Sequence, residues 1–273
     1  MKFLKILKLL KLMNNTLYRF RRALLKLLIP NFVWKKFIFI DGIKIHVRDM
    51  PYSVGLKFLL SRKPDDYEKP ERLLVNKILK HGDNILEMGG SIGILTRIMA
   101  NSVGAKGRVI SIEASKAITS FSKKFIESEF KNTTIVCAIG IPLFRRINIL
   151  GKFQNNFGFL GGRVNYDENY KKIKTNNQDS FFVEDCEKIF SIKPNVLVID
   201  IEGSEEILLK YKPDFPDYIE HIIIELHTQI YSYDKYFRLI DLFLNQNFQL
   251  RACIGECLLF GRKEDILRKV RDI

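Results

Sequence analysis

The sequence predicts an α/β fold with a mostly parallel sheet, helices on both faces and an antiparallel hairpin at the C-terminal end. Two observations predict it. Between residues 80 and 245, short apolar runs alternate with longer amphipathic runs of helical period. The last run, FQLRACIGECLLFGRK, divides around Ile254-Gly255 into two short strands. Alternating strands and helices imply parallel strand neighbours, because each helix carries the chain back to the same edge of the sheet.

The first elements precede this alternation. FIFIDGIKIHV has Asp41-Gly42 between two alternating halves, which predicts a tight hairpin. PERLLVNKILKHGD predicts a helix that begins near Pro70 and ends at Gly82. The strands and helices that follow are, in order, NILEM, ILTRIMANSV, RVISIE, KAITSFSKKFIES, TIVCAI, VEDCEKIF, NVLVID, SEEILLKY, HIIIEL and YDKYFRLIDLFLNQ.

These elements divide the chain into three predicted segments. A basic amphipathic arm covers residues 1–36, a hairpin and helix lead in over residues 37–79, and the main domain covers residues 80–273. Residues 141–178 break the alternation with a polar, glycine-rich and aromatic stretch, which we interpret as an insert or lid that contacts the substrate. The length of 273 residues allows one sizeable core. No apolar run approaches the ~18 residues of a membrane span.

The positive charge is concentrated in the arm. Of the 45 Lys and Arg residues, ten lie in residues 1–40, which contain no acid, so the remaining 35 basic and 31 acidic residues leave +4 of the net +14. Lysine recurs every third residue at positions 2, 5, 8 and 11. This pattern favours a helix on an anionic membrane surface. Packing against the main domain and binding of nucleic acid are the alternatives, whereas the lysines interrupt any signal-peptide core.

The cysteines predict a reduced, cytoplasmic setting, with the arm allowing peripheral contact at the membrane. Cys137, Cys186, Cys253 and Cys257 are dispersed and contain no CxxC pair. Cys253 and Cys257 have neither a second cysteine pair nor a histidine cluster to complete a zinc site. We therefore predict no metal site from the sequence.

Candidate ligand-binding residues lie at the carboxyl ends of the strands, where open α/β sheets bind their ligands. NILEM ends at a glycine-rich turn that opens a helix, and glycines there permit positive φ and close approach of a ligand. RVISIE ends in an acid, Glu113, 24 residues after Gly89, which suits a ribose diol. The predicted cofactor contacts are Glu87, Gly89, Gly90, Ser91, Gly93, Glu113 and Ala138.

The turn distinguishes between two nucleoside cofactors. NAD sites place a pyrophosphate on a GxGxxG turn, whereas the turn here reads G-G-S-I-G and follows Glu87. S-adenosylmethionine has no phosphate but carries a cationic sulfonium and an amino group. An acid beside the turn therefore favours S-adenosylmethionine over NAD.

The segments after the fourth and fifth strands carry a family resemblance. NVLVIDIEGSEEILL and IIIELH resemble the D-[IV]-E-G-x-E and E-x-H motifs of the FkbM family of S-adenosylmethionine-dependent methyltransferases. The resemblance spans about residues 80–262 and includes QDSFFVED. The departures are Glu87 for Asp, Gly90 for Ala and Ser91 for Asn. It implies a Rossmann-like class I methyltransferase fold and methylation of hydroxyl groups, often on sugars, polyketides or lipid-linked glycans.

The acids at the ends of these two strands are the candidate catalytic residues. Methyl transfer to an alcohol requires alignment of the reacting atoms and an acceptor for the hydroxyl proton. We predict that Asp200 or His227 accepts the proton and that Glu202 or Glu225 orients the partner. A divalent cation held by Asp200 is an alternative, since a metal lowers the pKa of a bound hydroxyl.

Other charged residues are interpreted as structural. Glu205 and Glu206 fall in the first turn of SEEILL, where acids stabilise the helix dipole. His46 and His81 are interpreted as surface or loop residues.

Three functions follow from these features. The leading hypothesis is an O-methyltransferase that acts on a sugar, glycan or lipid-linked glycan near a membrane. An RNA methyltransferase is favoured by the charge, but the chain lacks the Asn/Asp-Pro-Pro-aromatic turn that many nucleic-acid methyltransferases carry after the fourth strand. The third is a membrane-associated binding protein that holds the cofactor without turnover. Nucleic acid is therefore not the expected partner.

Overall fold

The computed structural model describes residues 36–50, 60, 62–146, 151–155, 162–166 and 179–263. All but the last residue of the predicted arm, and much of the predicted lid, lie outside these ranges. The chain divides into two compact units between Tyr67 and Glu68. The sequence places this division later, at residue 79.

The smaller unit contains the predicted hairpin. Strands β1 (Phe37–Ile40) and β2 (Ile43–His46) pair antiparallel. The turn residues Asp41 and Gly42 both have positive φ, 48° and 77°, which matches the twist of the two strands. His46 is the last residue of β2, so its interpretation as a surface or loop residue is wrong, whereas His81 lies in an exposed turn as predicted.

The larger unit alternates strands and helices. Its helices are α1 (Lys69–Ile78), α2 (Ile94–Val103), α3 (Lys116–Ser122), α4 (Glu184–Phe190), α5 (Ile207–Tyr211) and α6 (Tyr233–Leu244). Its strands are β3 (Asn84–Met88), β4 (Arg108–Glu113), β5 (Thr133–Cys137), β6 (Ile139–Ile141), β7 (Gly151–Asn155), β8 (Gly162–Tyr166), β9 (Ser180–Phe182), β10 (Val196–Ile199), β11 (His221–Glu225), β12 (Phe248–Ile254) and β13 (Cys257–Arg262).

Seven of these strands form the central sheet in the order β12-β13-β11-β10-β3-β4-β5. The five strands from β11 to β5 are parallel, while β13 pairs antiparallel with both β11 and β12. The strand order reverses between β3 and β10, so a crevice opens at their carboxyl ends. The topology confirms the predicted fold class.

Several elements differ from the sequence prediction in detail. The predicted helix KAITSFSKKFIES is α-helical only to Ser122 and continues as a π-helix over Lys123–Glu127. The predicted helix SEEILLKY begins with a 3-10 turn at Ser204–Glu206. The predicted lid contains an antiparallel pair, β7 and β8, and its two ends lie next to a short parallel pair, β6 and β9. The sequence predicts neither pair, because short strands of mixed polarity lack a clear period.

None of the helices in the described residues is both long enough and apolar enough to cross a bilayer.

Candidate active site

The glycine-rich turn after β3 lies at the reversal point of the sheet. The amide groups of Gly89 and Gly90 both donate to the carbonyl oxygen of Ile112, at 2.9 and 3.0 Å. Asp200, directly after β10, donates its amide to the carbonyl oxygen of Met88 at 2.9 Å. A Cβ atom on Gly89 would lie 1.7 Å from the carbonyl oxygen of Asp200. The predicted cofactor turn and the predicted catalytic acid are therefore in direct main-chain contact.

Glu113 closes the turn from the end of β4. Its carboxylate accepts the amide of Ser91 at 3.0 Å and the amide of Ser115 at 2.6 Å. Burial raises the pKa of Glu113, and the two backbone hydrogen bonds oppose this rise. Ser91 itself has a positive φ of 45°. The structure thus brings Ser91, Gly89, Gly90 and Glu113 together around the predicted cofactor position.

Two predicted cofactor contacts have their side chains inside the protein. Glu87 is 2% exposed and accepts the hydroxyl of Thr96 at 2.5 Å, so its carboxyl group lies below the turn. Ala138 belongs to the hydrophobic core. We therefore assign Glu87 and Ala138 to the support of the site rather than to side-chain contact with a ligand. Gly93 has a packing role as well, since a Cβ atom there would lie 2.1 Å from Ile126.

Glu87 should make the stability of the protein depend on pH. Burial raises its pKa from 4.5 to about 7. Its folded-state pKa lies above its unfolded value, so its contribution is fully present below pH 4.5 and is lost as the pH rises through 7. Relative to the wild type, Glu87→Gln should therefore gain about 2.5 kcal/mol of unfolding free energy between pH 5 and pH 8. Urea unfolding at both pH values measures this difference, and parallel changes in the two proteins would contradict it.

The four predicted catalytic residues converge at the ends of β10 and β11. His227 Nε2 lies 3.5 Å from Asp200 Oδ1, 3.4 Å from Glu202 Oε2 and 4.0 Å from Glu225 Oε2. The residues Glu202 and Gly203, in the turn after β10, both have positive φ, 53° and 87°. Non-glycine residues with such backbone angles are concentrated at functional sites. The cluster therefore combines three acids around one imidazole nitrogen.

The side chains of the cluster differ in solvent exposure. The side chains of Asp200, Glu202 and Glu225 are 25 to 31% exposed, whereas His227 is 9% exposed. A molecule that enters from the crevice therefore meets the three carboxylates before it meets the imidazole ring.

Burial and mutual repulsion shift the pKa values of the acids upward. Burial, and then Glu202, raise the pKa of Asp200 to about 8. Burial also raises the pKa of Glu202 to about 7, and burial together with Asp200 raises that of Glu225 to about 8. Burial alone would lower the pKa of His227, but the surrounding carboxylates, Glu205 first, raise it to about 10. Asp200, Glu202 and Glu225 thus keep their protons to a higher pH than isolated carboxylic acids do.

Glu205 is part of this cluster, although the sequence places it in the first turn of a helix. Its side chain is fully buried, with Oε1 3.3 Å from His227 Nδ1. The same oxygen accepts the amide of Ile201 at 3.1 Å. Glu206, by contrast, pairs with Lys235 at 2.6 Å at the surface, away from the cluster. The sequence contains one signal for this difference, because Glu205 is the last acid of the D-[IV]-E-G-x-E pattern.

Glu71 is a further member that the sequence does not predict, and Cys257, considered from the sequence only together with Cys253, lies beside it. Glu71, in the first turn of α1, and Cys257, the first residue of β13, lie beside Glu225. Two sets of side chains, Asp200 with Glu205 and His227, and Glu71 with Glu225 and Cys257, each place their potential ligand atoms within 4.8 Å of one another. No spacing in the sequence links residue 71 to the other acids, because α1 meets β11 and β13 only in the folded chain.

One segment of the chain matches a family model. Residues 48–142 match the model of the protein-L-isoaspartate(D-aspartate) O-methyltransferase family. A segment of 76 residues is 33% identical to the protein-L-isoaspartate O-methyltransferase of Thermotoga maritima. This segment covers 26% of the present chain and 24% of the relative, so the chain matches about a quarter of that relative's length. The match differs from the FkbM resemblance and ends before residues 196–227, which carry that resemblance.

Solved structures of methyltransferases are also similar to the chain. Fibrillarin from Aeropyrum pernix, in complex with S-adenosylmethionine, is 11% identical, with a TM-score of 0.41, over 71% of this chain and 74% of that one. The O-methyltransferase of Bacillus cereus, in complex with SAH, is 15% identical, with a TM-score of 0.41, over 71% and 78%. Precorrin-6y C5,15-methyltransferase of Geobacter metallireducens is 11% identical, with a TM-score of 0.43, over 71% and 87%.

The strand order and the family match together define the class of the larger unit. It has the Rossmann-like fold of class I methyltransferases, as the sequence predicts, and its residues up to 142 match a methyltransferase family model. The matched residues include the turn after β3 and Glu113, which are the predicted cofactor contacts. The cluster around His227 lies outside the match.

Proposed function

We propose that this protein is an S-adenosylmethionine-dependent O-methyltransferase that methylates a hydroxyl group of a sugar, glycan or lipid-linked glycan. The observation that carries the proposal is the contact between Gly89 and Asp200 at the reversal point of the sheet. This contact supports the proposal because the predicted cofactor turn then lies against an acid that we assign as the proton acceptor. The FkbM resemblance of residues 196–227 supports the hydroxyl acceptor.

Asp200 is the residue we assign as proton acceptor. Its side chain is 30% exposed, although Oδ1 is buried and faces His227 Nε2 at 3.5 Å. His227 lies deeper and contacts Asp200 through Nε2, so we assign it to orient Asp200. S-adenosylmethionine, held at the turn that contains Gly89, would supply the methyl group, and the Asp200 carboxylate would take up the proton of the acceptor hydroxyl. Glu205 acts through His227 by holding Nδ1 from below.

The charge of the cluster favours a neutral acceptor. Asp200, Glu202, Glu205 and Glu225 surround one histidine, and no lysine or arginine of the described residues lies within 4 Å of them. An isoaspartyl carboxylate, the acceptor that the matched family's name implies, would be repelled here. An RNA phosphate backbone would be repelled for the same reason. A hydroxyl group carries no charge and can donate a hydrogen bond to a carboxylate.

The arm and the predicted lid complete the proposal. We propose that residues 1–36 bring the enzyme to an anionic membrane surface, where a lipid-linked glycan is present, and that residues 141–178 contact the acceptor. Flotation of the full chain with anionic vesicles but not with neutral vesicles is the expected result. Equal recovery with anionic and neutral vesicles would contradict electrostatic binding of the arm to the membrane.

Calorimetry with S-adenosylmethionine and with NAD tests the cofactor assignment. We expect binding of S-adenosylmethionine only. Glu113→Gln should weaken that binding about 10- to 100-fold, because charge-assisted hydrogen bonds to the ribose are replaced by neutral ones. Glu206→Gln is the matched control, since Glu206 lies at the surface beside Lys235. Binding of NAD in place of S-adenosylmethionine, or equal affinity in both variants, would contradict the assignment.

A further inference from the structure

A second group of potential ligands lies next to the proposed catalytic cluster. Glu225 at the end of β11 and Cys257 at the start of β13 are direct partners in the antiparallel register, so their side chains share one face of the sheet. Glu71 reaches the same place from α1, and the Cys257 thiol donates to Glu71 Oε1 at 3.1 Å. One sulfur and two carboxylate oxygens thus meet from three separate elements.

The basic side chain beside this group is His227, whose Nε2 lies 4.0 Å from Glu225 Oε2 and is shared with the neighbouring acids. Glu71 is 7% exposed, and its Oε2 atom is buried without a hydrogen-bond donor among the described residues. The ion pairs of these residues include no lysine or arginine bound to Glu71 or Glu225. Two neighbouring carboxylates in such a setting cost several kcal/mol unless a proton or a cation neutralises them.

The group has the ligand types of a transition-metal site. A thiolate selects soft or borderline ions such as Zn²⁺ and Co²⁺ over Mg²⁺, and carboxylates complete their coordination. Ligand atoms around tetrahedral Zn²⁺ are separated by about 3.5 Å, and the three atoms here already lie within 4.8 Å of one another. The Glu225 side chain is 25% exposed, which leaves a path for an ion and a water molecule.

We propose that Glu71, Glu225 and Cys257 form a binding site for a divalent transition-metal ion of the Zn²⁺ and Co²⁺ type. On binding, the Cys257 S–H bond breaks, a sulfur–metal bond forms and the proton leaves to solvent. The ion ties α1 to β11 and β13 and neutralises the two carboxylates. This site goes beyond the proposed methyl transfer: it shares Glu225 with the catalytic cluster but involves neither the cofactor turn nor Asp200.

Titration of the reduced, metal-free full chain with Co²⁺, without S-adenosylmethionine, tests the site. We expect one equivalent of Co²⁺ to give a thiolate-to-cobalt charge-transfer band. Cys257→Ser should remove the band. Cys253→Ser is the matched control and should retain it, because Cys253 is exposed on β12. Glu71→Gln should keep the band but weaken Co²⁺ binding at least about tenfold, and this variant decides the matter if Cys257→Ser does not fold.

Several results would contradict the proposal of a metal site. They are the absence of a charge-transfer band in the wild type, its persistence in folded Cys257→Ser, and unchanged Co²⁺ affinity in Glu71→Gln. Binding of Co²⁺ that is lost in His227→Ala but kept in Cys257→Ser would place the ion in the other set of ligands instead. Calorimetry with S-adenosylmethionine on the same protein is independent of these results, so failure of the metal site leaves the proposed methyl transfer standing, and the reverse also holds.

Discussion

Asp200→Asn is expected to lower methyl transfer by about 10²- to 10⁴-fold. Asparagine preserves the size of the side chain and the main-chain bond to Met88, but its amide cannot accept the hydroxyl proton. The binding of S-adenosylmethionine should change little, because the turn that contains Gly89 is held by main-chain bonds to Ile112. The measurement is transfer of a labelled methyl group from S-adenosylmethionine into the glycan and glycolipid fraction of cells that lack the gene.

Glu206→Gln provides the control for this variant. It also removes one acid from the segment after β10, but Glu206 is paired with Lys235 away from the cluster, so near-normal transfer is expected. An Asp200→Asn protein that keeps more than about a tenth of the wild-type rate would show that another group receives the proton. If cells that carry Asp200→Ala are indistinguishable from wild-type cells in every phenotype, including methylation of their glycans, the protein is a binding protein without turnover.

Gly89→Ala is expected to destabilise the larger unit by at least about 4 kcal/mol. The added Cβ atom would lie 1.7 Å from the carbonyl oxygen of Asp200, so one of two hydrogen-bonded main-chain segments must move. Because the segments are the cofactor turn and the start of the acid cluster, the displacement should also abolish binding of S-adenosylmethionine. Chemical denaturation and calorimetry on the full chain measure the two effects.

Gly82→Ala separates the steric effect from backbone strain. Gly82 has φ of 95°, close to the 97° of Gly89, but a Cβ atom there would meet nothing within 4 Å. Its substitution should therefore cost only the strain of an unfavourable φ, about 1 to 2 kcal/mol. Equal destabilisation by the two substitutions would show that the contact between Gly89 and Asp200 is not tight. A Gly89→Ala protein that fails to accumulate while Gly82→Ala folds agrees with the prediction.

Much of the fold follows from local patterns in the sequence. The bounds of β3, α2 and β4 coincide with the runs NILEM, ILTRIMANSV and RVISIE, because each has a clear period and a glycine at its boundary. The predicted bounds are less accurate for the helix KAITSFSKKFIES, which tertiary contacts alter. The π-helix over Lys123–Glu127 contains Ile126, whose side chain packs against Gly93. Such a contact joins distant residues and leaves no periodic signal.

The candidate site, like the fold, is predictable from the sequence only in part. Asp200, Glu202, Glu225 and His227 are predictable, since they stand at the ends of apolar strands that must be parallel neighbours. The sequence predicts Glu87 next to the glycine-rich turn but does not predict the direction of its side chain. The carboxyl group points below the turn toward Thr96, and a position at a strand end does not reveal this direction. The sequence predicts Glu205 in the first turn of a helix, where it stabilises the helix dipole, whereas the 3-10 turn at Ser204–Glu206 directs its side chain beneath His227.

The sequence by itself therefore determined the class of the sheet, the glycine-rich turn after β3 and the positions of the acids that follow β10 and β11, because period and chain order are local properties. Only the tertiary structure decided which acids share one space. Glu71 and Cys257 are 186 residues apart, yet they are hydrogen-bonded. The physical reason is that α1 packs against β11 and β13, which the chain completes last. The buried acid of the NVLVIDIEGSEEILL run, Glu205, likewise lies beneath His227 only in the folded chain.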